Sequence, residues 1–154
     1  MYATPFIALL HNRTIWVALS ACASAQVIKV LIEYTLLKKV NRSSLVSTGG
    51  MPSSHSAFVV ALAASVGMVE GLQSSLFAIS AVFALIVMYD ATGVRRAAGK
   101  HAEMINRLTE NLHSIGIKPH EKLKELLGHS PIEVVAGAFW GIIVASIAHG
   151  VLGV

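Results

Sequence analysis

The sequence predicts an all-α protein, a polytopic membrane helical bundle of about four spans with a cytoplasmic amphipathic helical insertion. Three observations lead to this prediction. Of the 154 residues, 55% are hydrophobic and only 13% are charged, and the mean hydropathy is +0.68. Soluble domains carry about 25% charged residues. The apolar residues also gather in four long segments, each close to the roughly 20 residues that cross about 30 Å of hydrocarbon.

The four apolar segments are Thr14–Leu37, Ser56–Leu72, Ser74–Ala91 and Pro131–Val154. The second and third are short for a span, and so little sequence separates them that they should form a tight helical hairpin. Tyr2–Leu10 is too short to cross the bilayer, so we expect it to lie at the interface or to fold back. Four spans place both ends of the chain on the same side of the membrane.

The basic residues predict the orientation of the bundle. Ten of the twelve lysines and arginines fall in two stretches, 38–42 and 95–124, which four spans put on the same side. The positive-inside rule makes that side cytoplasmic. Nucleic-acid binding is the other interpretation of a net charge of +4, but only 6% of the residues are aromatic and the charges lie near membrane boundaries. No cleavable signal peptide is evident, and the single Cys22 predicts neither a disulfide nor a cysteine-based metal site.

Residues 92–128 form the one sizeable polar region within the single membrane domain predicted over residues 1–154. Apolar residues recur at helical spacing there, which predicts an amphipathic helix over Ala97–Leu112 that can lie on the bilayer. Pro119 then begins a short helix that Gly128 is suited to end. The insertion is therefore expected to form a helical cap.

Ser53, Ser54 and His55 form a polar cluster after a glycine turn, at the mouth of the second span. Free backbone N–H groups and serine hydroxyls at a helix N-terminus bind phosphate oxygens, and an imidazole can donate a proton. A serine helix cap beside an incidental histidine is the plainer interpretation. Both interpretations stay open at this point.

His129 and Glu133 stand in a second polar cluster, four residues apart at the start of the fourth span, so their side chains share one helix face. A carboxylate that holds one imidazole nitrogen leaves the other free as a nucleophile or base. Ser130-Pro131-Ile132-Glu133 is also a capping box with proline at the first helical position. Capping explains this tetrapeptide but leaves His129 unexplained.

Lys29 lies inside the first apolar segment, where an ionisable group is costly and by default functional. A local ion pair with Glu33, or snorkelling to the interface, would also account for it. Arg95 and Arg96 end the third span and suit phosphate binding, although cytoplasmic anchors of a helix would look the same. Asp90, one and a half turns earlier, is placed to orient one of these arginines.

Three segments in chain order resemble a known family. Met51-Pro52-Ser53-Ser54-His55-Ser56 is similar to the Pro-Ser-Gly-His motif of the type 2 phosphatidic acid phosphatase superfamily, and Gly128–Gly137 is similar to its His-x-Pro-x-Asp-Val-x-Ala-Gly motif. With Asp90–Lys100 they more closely resemble a divergent bacterial and plant branch described as acid phosphatase/vanadium-dependent haloperoxidase-related. The resemblance covers nearly the whole chain.

The resemblance implies hydrolysis of a phosphate ester through a phosphohistidine, without a metal ion or other cofactor. His129 would attack phosphorus, Glu133 would hold its other nitrogen in place of the family's aspartate, and His55 would protonate the leaving oxygen. The residues that would bind the phosphate and stabilise its charge are Lys29, Ser53, Ser54, Arg95 and Arg96.

The chain departs from the superfamily pattern in its basic residues. Lys29 lacks the Arg-Pro partner seven residues on, which leaves Arg42 as a loose candidate for substrate binding. Arg95 stands six positions before His101, the spacing at which the superfamily places its nucleophile, whereas His129 follows a long insertion. His101 is thus the alternative nucleophile, but Ile105 occupies the position of its carboxylate, so we favour His129.

These expectations favour an inner-membrane lipid phosphatase or diphosphatase that acts on an isoprenoid or glycerolipid phosphate at the cytoplasmic surface. Its expected partners are the lipid phosphate and membrane lipids, not nucleic acid, and a homodimer that completes the pocket is compatible with four spans. Two other interpretations remain. One is a non-catalytic phospholipid-binding scaffold, and the other is a small transporter, suggested by Lys29 and Glu33 within the first span.

Overall fold

The computed structural model describes residues 5–38, 50–113, 122–123 and 128–153. Every regular element in these ranges is an α-helix, and together the helices form the predicted helical membrane bundle. The helices are α1 Pro5–Leu10, α2 Arg13–Leu37, α3 Ser54–Glu70, α4 Ser75–Thr92, α5 Val94–His113 and α6 Pro131–Leu152.

Serine and asparagine side chains determine where the long apolar helices begin. Asn12 caps α2, Ser53 caps α3, Ser74 caps α4 and Ser130 caps α6, each accepting a hydrogen bond from a backbone N–H in the first turn. A first-turn N–H has no partner within its own helix, so each cap satisfies a group that lipid could not. The helix starts therefore follow from local sequence.

Three helices in the described ranges are long and apolar enough to cross a membrane: α2, the helix that begins at Ser75, and α6. The predicted second span is α3, a shorter apolar helix of 17 residues that rises about 25 Å. It is also the central helix, because it packs against α2, α4 and α6. In its polar first turn Ser56 is buried, whereas His55 is exposed.

Small residues allow the helices around α3 to approach closely. A side chain at Gly137 would clash with the backbone carbonyl of Ser53, and a Cβ at Gly141 would lie 2.6 Å from the carbonyl oxygen of Ala57. Buried alanines of α2 also pack against Ala57 and Ala61. Lipid gives little drive for apolar surfaces to associate, so membrane helices depend on such close backbone approach.

Two observations show which helix ends meet at each end of the bundle. Arg13 Nη1 donates to the Gly153 carbonyl over 3.3 Å, which puts the start of α2 beside the end of α6. The α3–α4 turn lies at the same end, because Thr14 and Val69 line one groove. The start of α3, the end of α4 and the start of α6 therefore meet at the opposite end.

Helix α5 confirms the predicted amphipathic helix and extends it at both ends. Its apolar residues Met104 and Leu108 are exposed, whereas Asn106 is buried. The Asn106 side-chain amide donates to the Leu123 carbonyl over 2.8 Å, and the Leu123 N–H donates to Asn106 Oδ1 over 3.0 Å. The short helix predicted from Pro119 lies outside the described residues.

Candidate active site

His129 is held at the junction of α4 and α5 by its own backbone and by the glycine before it. Its N–H donates to the Ala91 carbonyl over 3.0 Å. Gly128 has a φ of +90°, and a Cβ there would lie 2.6 Å from the backbone nitrogen of Arg96. Only glycine combines this backbone conformation with so close an approach. Gly128 and His129, which precede α6, are therefore packed against the segment that carries Arg95 and Arg96.

The His129 ring is buried, with 4% of its side chain exposed, and Glu133 orients it. The Nδ1 atom lies 2.9 Å from Glu133 Oε2. The same carboxylate oxygen accepts a hydrogen bond of 3.2 Å from the Ser130 N–H, and the Ser130 hydroxyl accepts one from the Glu133 N–H, which completes the capping box. Capping and histidine orientation, separate interpretations of the sequence, are thus two functions of one side chain.

The other ring nitrogen of His129, Nε2, is buried and has no hydrogen-bond partner among the described residues. A proton on Nδ1 facing the carboxylate leaves the Nε2 lone pair unprotonated. Buried polar atoms nearly always have a partner, so an orphaned imidazole nitrogen indicates a position reserved for a ligand or a reacting atom.

His55 faces His129 across the cleft. Their ring centroids are 6.3 Å apart, and the rings are tilted by 60°. His55 is the second residue of α3 and is exposed at the rim, whereas His129 lies at the base. The residues that line this cleft come from α3, from the end of α4 and the start of α5, and from the segment before α6, namely His55, Val87, Asp90, Ala91, Arg95 and His129.

Arg95 is the arginine that lines the cleft, and Asp90 is the residue that orients it. The Arg95 Nε donates to Asp90 Oδ2 over 2.7 Å, with both side chains partly exposed. The sequence predicted that Asp90 orients one of two arginines without distinguishing them. Arg96 is exposed and does not line the cleft.

Lys29 is 6% exposed and continues the buried face of α2, which Ala25 and Ala21 form one and two turns earlier. Its methylene groups pack on Gly50, since a Cβ at Gly50 would lie 2.8 Å from Lys29 Cε. The ammonium interacts electrostatically with Glu33 and Glu133, and Lys29 also acts on His55. An ion pair with Glu33 and a role at the cleft were the two interpretations of Lys29. Each is supported by one of these electrostatic interactions.

Ser53 acts mainly as a cap and a link between helices. It is fully buried, and its hydroxyl accepts hydrogen bonds from the N–H and the hydroxyl of Ser56, over 3.4 and 3.1 Å. Its own N–H donates to the Glu133 carbonyl over 3.0 Å, which ties the start of α3 to the first turn of α6. Ser54 is half-buried in that first turn.

The remaining predicted site residues are His101 and Arg42. His101 is exposed on α5 and does not line the cleft. Arg42 lies outside the described residues. Sequence reasoning named Gly137 only as the end of a motif and missed Gly141; these glycines bring α6 against the backbones of Ser53 and Ala57. Their spacing of four within an apolar helix was the available signal.

Comparison with known proteins gives one family and one close relative. Residues 10–144 match the family described as "Divergent PAP2 family". The chain is 48% identical to the protein described as "Uncharacterized membrane protein YuiD" of Bacillus subtilis (strain 168), over 88% of this chain and 92% of that protein. No solved structure matches the chain.

Proposed function

Because the chain belongs to the divergent PAP2 family, we propose that it is a membrane lipid phosphatase or diphosphatase. It hydrolyses the phosphate ester of an isoprenoid or glycerolipid through a phosphohistidine. One observation carries the proposal. His129 is held by Glu133 through Nδ1, and its buried Nε2, beside His55 and Arg95, has no hydrogen-bond partner in the part of the chain that the structure describes. In this arrangement His129 is an oriented nucleophile, His55 is a nearby acid and Arg95 is a nearby cation.

The reaction proceeds in two steps. The Nε2 lone pair of His129 forms a bond to phosphorus while the bond from phosphorus to the ester oxygen breaks. The leaving alkoxide takes a proton from the imidazolium of His55. Neutral His55 then removes a proton from water, and that water displaces His129 from phosphorus to release inorganic phosphate. Glu133 stabilises the positive charge that His129 carries in the intermediate.

Charge stabilisation comes from the basic groups around the cleft. Negative charge spreads over the phosphoryl oxygens in the transition state, and fixed cations in a poorly solvated site stabilise it strongly. Arg95 lines the cleft, and Lys29 interacts with Glu133 and with His55. A cleft at one end of a membrane bundle suits a substrate whose phosphate is at the surface and whose tail stays in lipid. The positive-inside rule favours the cytoplasmic side for this end.

The first prediction tests the nucleophile and the acid. Purified protein in detergent with EDTA should release inorganic phosphate from phosphatidic acid or an isoprenyl phosphate. His129→Ala and His55→Ala should each lower turnover by about 100-fold or more, because each removes a group that reacts in the transition state.

His101→Ala is the matched control, since it removes an exposed imidazole of the same chain that does not line the cleft. It should keep wild-type turnover. Unchanged turnover in His129→Ala would reject the proposed nucleophile. Binding of the lipid phosphate without any phosphate release would instead support a non-catalytic phospholipid-binding protein.

A further inference from the structure

Asp90 puts a carboxylate inside a cleft that is otherwise suited to an anion. It lines the cleft with His55, Arg95 and His129, and its Oδ2 lies 2.7 Å from Arg95 Nε. The side chains are 39% exposed for Asp90 and 51% for Arg95, and ion pairs this exposed add little to stability. Stability therefore does not account for a carboxylate at this position.

The other charged groups around the cleft also compensate one another. The titratable and charged groups that face it or act on it, among the described residues, are Lys29, Glu33, His55, Asp90, Arg95, His129 and Glu133. Glu33 acts on Lys29. With both imidazoles neutral, the two remaining carboxylates, Asp90 and Glu133, balance the cations Lys29 and Arg95. A second negative charge on a bound phosphate would therefore meet no net positive charge in the cleft.

We propose that Asp90 sets the charge state of the phosphate that this cleft accepts. By neutralising Arg95, it makes the cleft bind a singly charged phosphate in preference to a doubly charged one. The favoured ligands are phosphodiesters, and monoesters that have taken up one proton. This inference rests on the anion site of the proposed function, but it does not depend on turnover.

The geometry allows Arg95 to bind a phosphate while Asp90 stays in place. Asp90 accepts from Nε of the guanidinium, which carries four further N–H donors on its two terminal nitrogens. A phosphate can therefore bind Arg95 at a distance from Asp90 that is short enough for repulsion. The carboxylate then acts on the charge of the ligand without contacting it.

Two short-chain phosphates test the proposal in the purified wild-type protein. Butyl phosphate carries one negative charge at pH 5 and two at pH 8, because its second pKa is about 6. Dibutyl phosphate carries one negative charge at both pH values. Phosphorus NMR titrations at both pH values give the affinity of the monoester relative to the diester. We expect this ratio to fall about tenfold or more between pH 5 and pH 8. The diester corrects for protonation of the histidines, which affects both ligands.

Asp90→Asn removes the charge but keeps the size of the side chain and an oxygen that accepts from Arg95. The ratio should then stay within about twofold between the two pH values. Glu103→Gln is the matched control, because Glu103 pairs with Arg107 over 2.6 Å on α5, outside the cleft. It removes the same charge from the protein and should leave the wild-type pH dependence intact.

Three results would overturn the proposal: a wild-type ratio that does not change with pH, an Asp90→Asn ratio equal to that of wild type, or weaker binding of both ligands at both pH values in Asp90→Asn. The last would show that Asp90 only positions Arg95. If Asp90→Asn does not fold, an unchanged wild-type ratio still overturns the proposal. Charge preference without phosphate release would refute the proposed function alone, and phosphate release without charge preference would refute this inference alone.

Discussion

At the scale of single residues, Glu133 shows how a local stability motif can also build a reactive group. Its Oε2 accepts from the Ser130 N–H and lies 2.9 Å from His129 Nδ1. The cap fixes where the carboxylate stands, and the carboxylate then fixes the ring. A histidine placed one residue before the cap is therefore oriented at no separate structural cost, since the first turn of α6 holds both partners.

The second prediction separates these two functions of Glu133. Glu133→Gln keeps an oxygen for the Ser130 N–H, so the cap should survive. The amide lacks the negative charge that stabilises His129 as it bonds to phosphorus, so turnover should fall by about 100-fold or more. Phosphate release and thermal unfolding in detergent are the measurements.

Ser130→Ala is the complementary control, because it removes the cap hydroxyl and leaves the carboxylate. It should cost about 1 kcal/mol of stability, with turnover within a few-fold of wild type. If Glu133→Gln released phosphate as fast as wild type, orientation of His129 by charge would be wrong.

At the scale of elements, the seam between α3 and α6 positions the two histidines relative to each other. Gly137 and Gly141 bring the α6 backbone against the carbonyls of Ser53 and Ala57. His55 lies two residues after Ser53, and His129 lies two residues before Pro131 begins α6. The approach of these helices therefore determines the 6.3 Å between the rings.

The third prediction tests this seam. Gly137→Ala places a methyl group against a backbone carbonyl, which cannot move aside as a flexible side chain would. Overpacking of this kind costs about 1–3 kcal/mol. The thermal unfolding temperature in detergent should fall accordingly, and turnover should fall with it.

Gly150→Ala on the same helix is the matched control, since a Cβ there has no neighbour within 4 Å among the described residues. Alanine is the better helix former, so Gly150→Ala should be neutral or slightly stabilising. Equal unfolding temperatures for the two variants would show that the α3–α6 contact is not as close as described.

At the scale of the whole molecule, the bundle holds all the cleft residues at one of its two ends. The cleft lies where α3 and α6 begin and α4 ends, and the α3–α4 turn lies at the other end. Basic residues flank the cleft end along α5. The positive-inside rule therefore predicts a cleft that faces the cytoplasm.

The fourth prediction tests this orientation in whole cells. In a Cys22→Ala background, Gln73→Cys marks the α3–α4 turn and Lys100→Cys marks α5, and both positions are exposed. A membrane-impermeant maleimide should label Gln73→Cys in intact cells. It should label Lys100→Cys only after the membrane is permeabilised. The reverse pattern would place the cleft on the outer face.

The sequence by itself determined the all-α membrane bundle, the starts of its apolar helices and the segments that carry reactive residues. Hydropathy, helix caps and the motif around His129 are local properties, so adjacent residues suffice to predict them. The predicted second span, Ser56–Leu72, differs from α3 by two residues at each end, a shift that hydropathy alone cannot resolve because the cap at Ser53 and the turn at Gly71 set the bounds.

Only the tertiary structure decided which of the candidate groups meet. It put Arg95 rather than Arg96, and His129 rather than His101, at the cleft with His55. It also paired Asp90 with Arg95, and buried Lys29 on the face of α2 that packs in the bundle. These outcomes depend on the rotation of each helix about its axis and on how closely two backbones approach. Contacts between residues far apart in the chain, such as Gly128 on Arg96 and Gly137 on Ser53, set both.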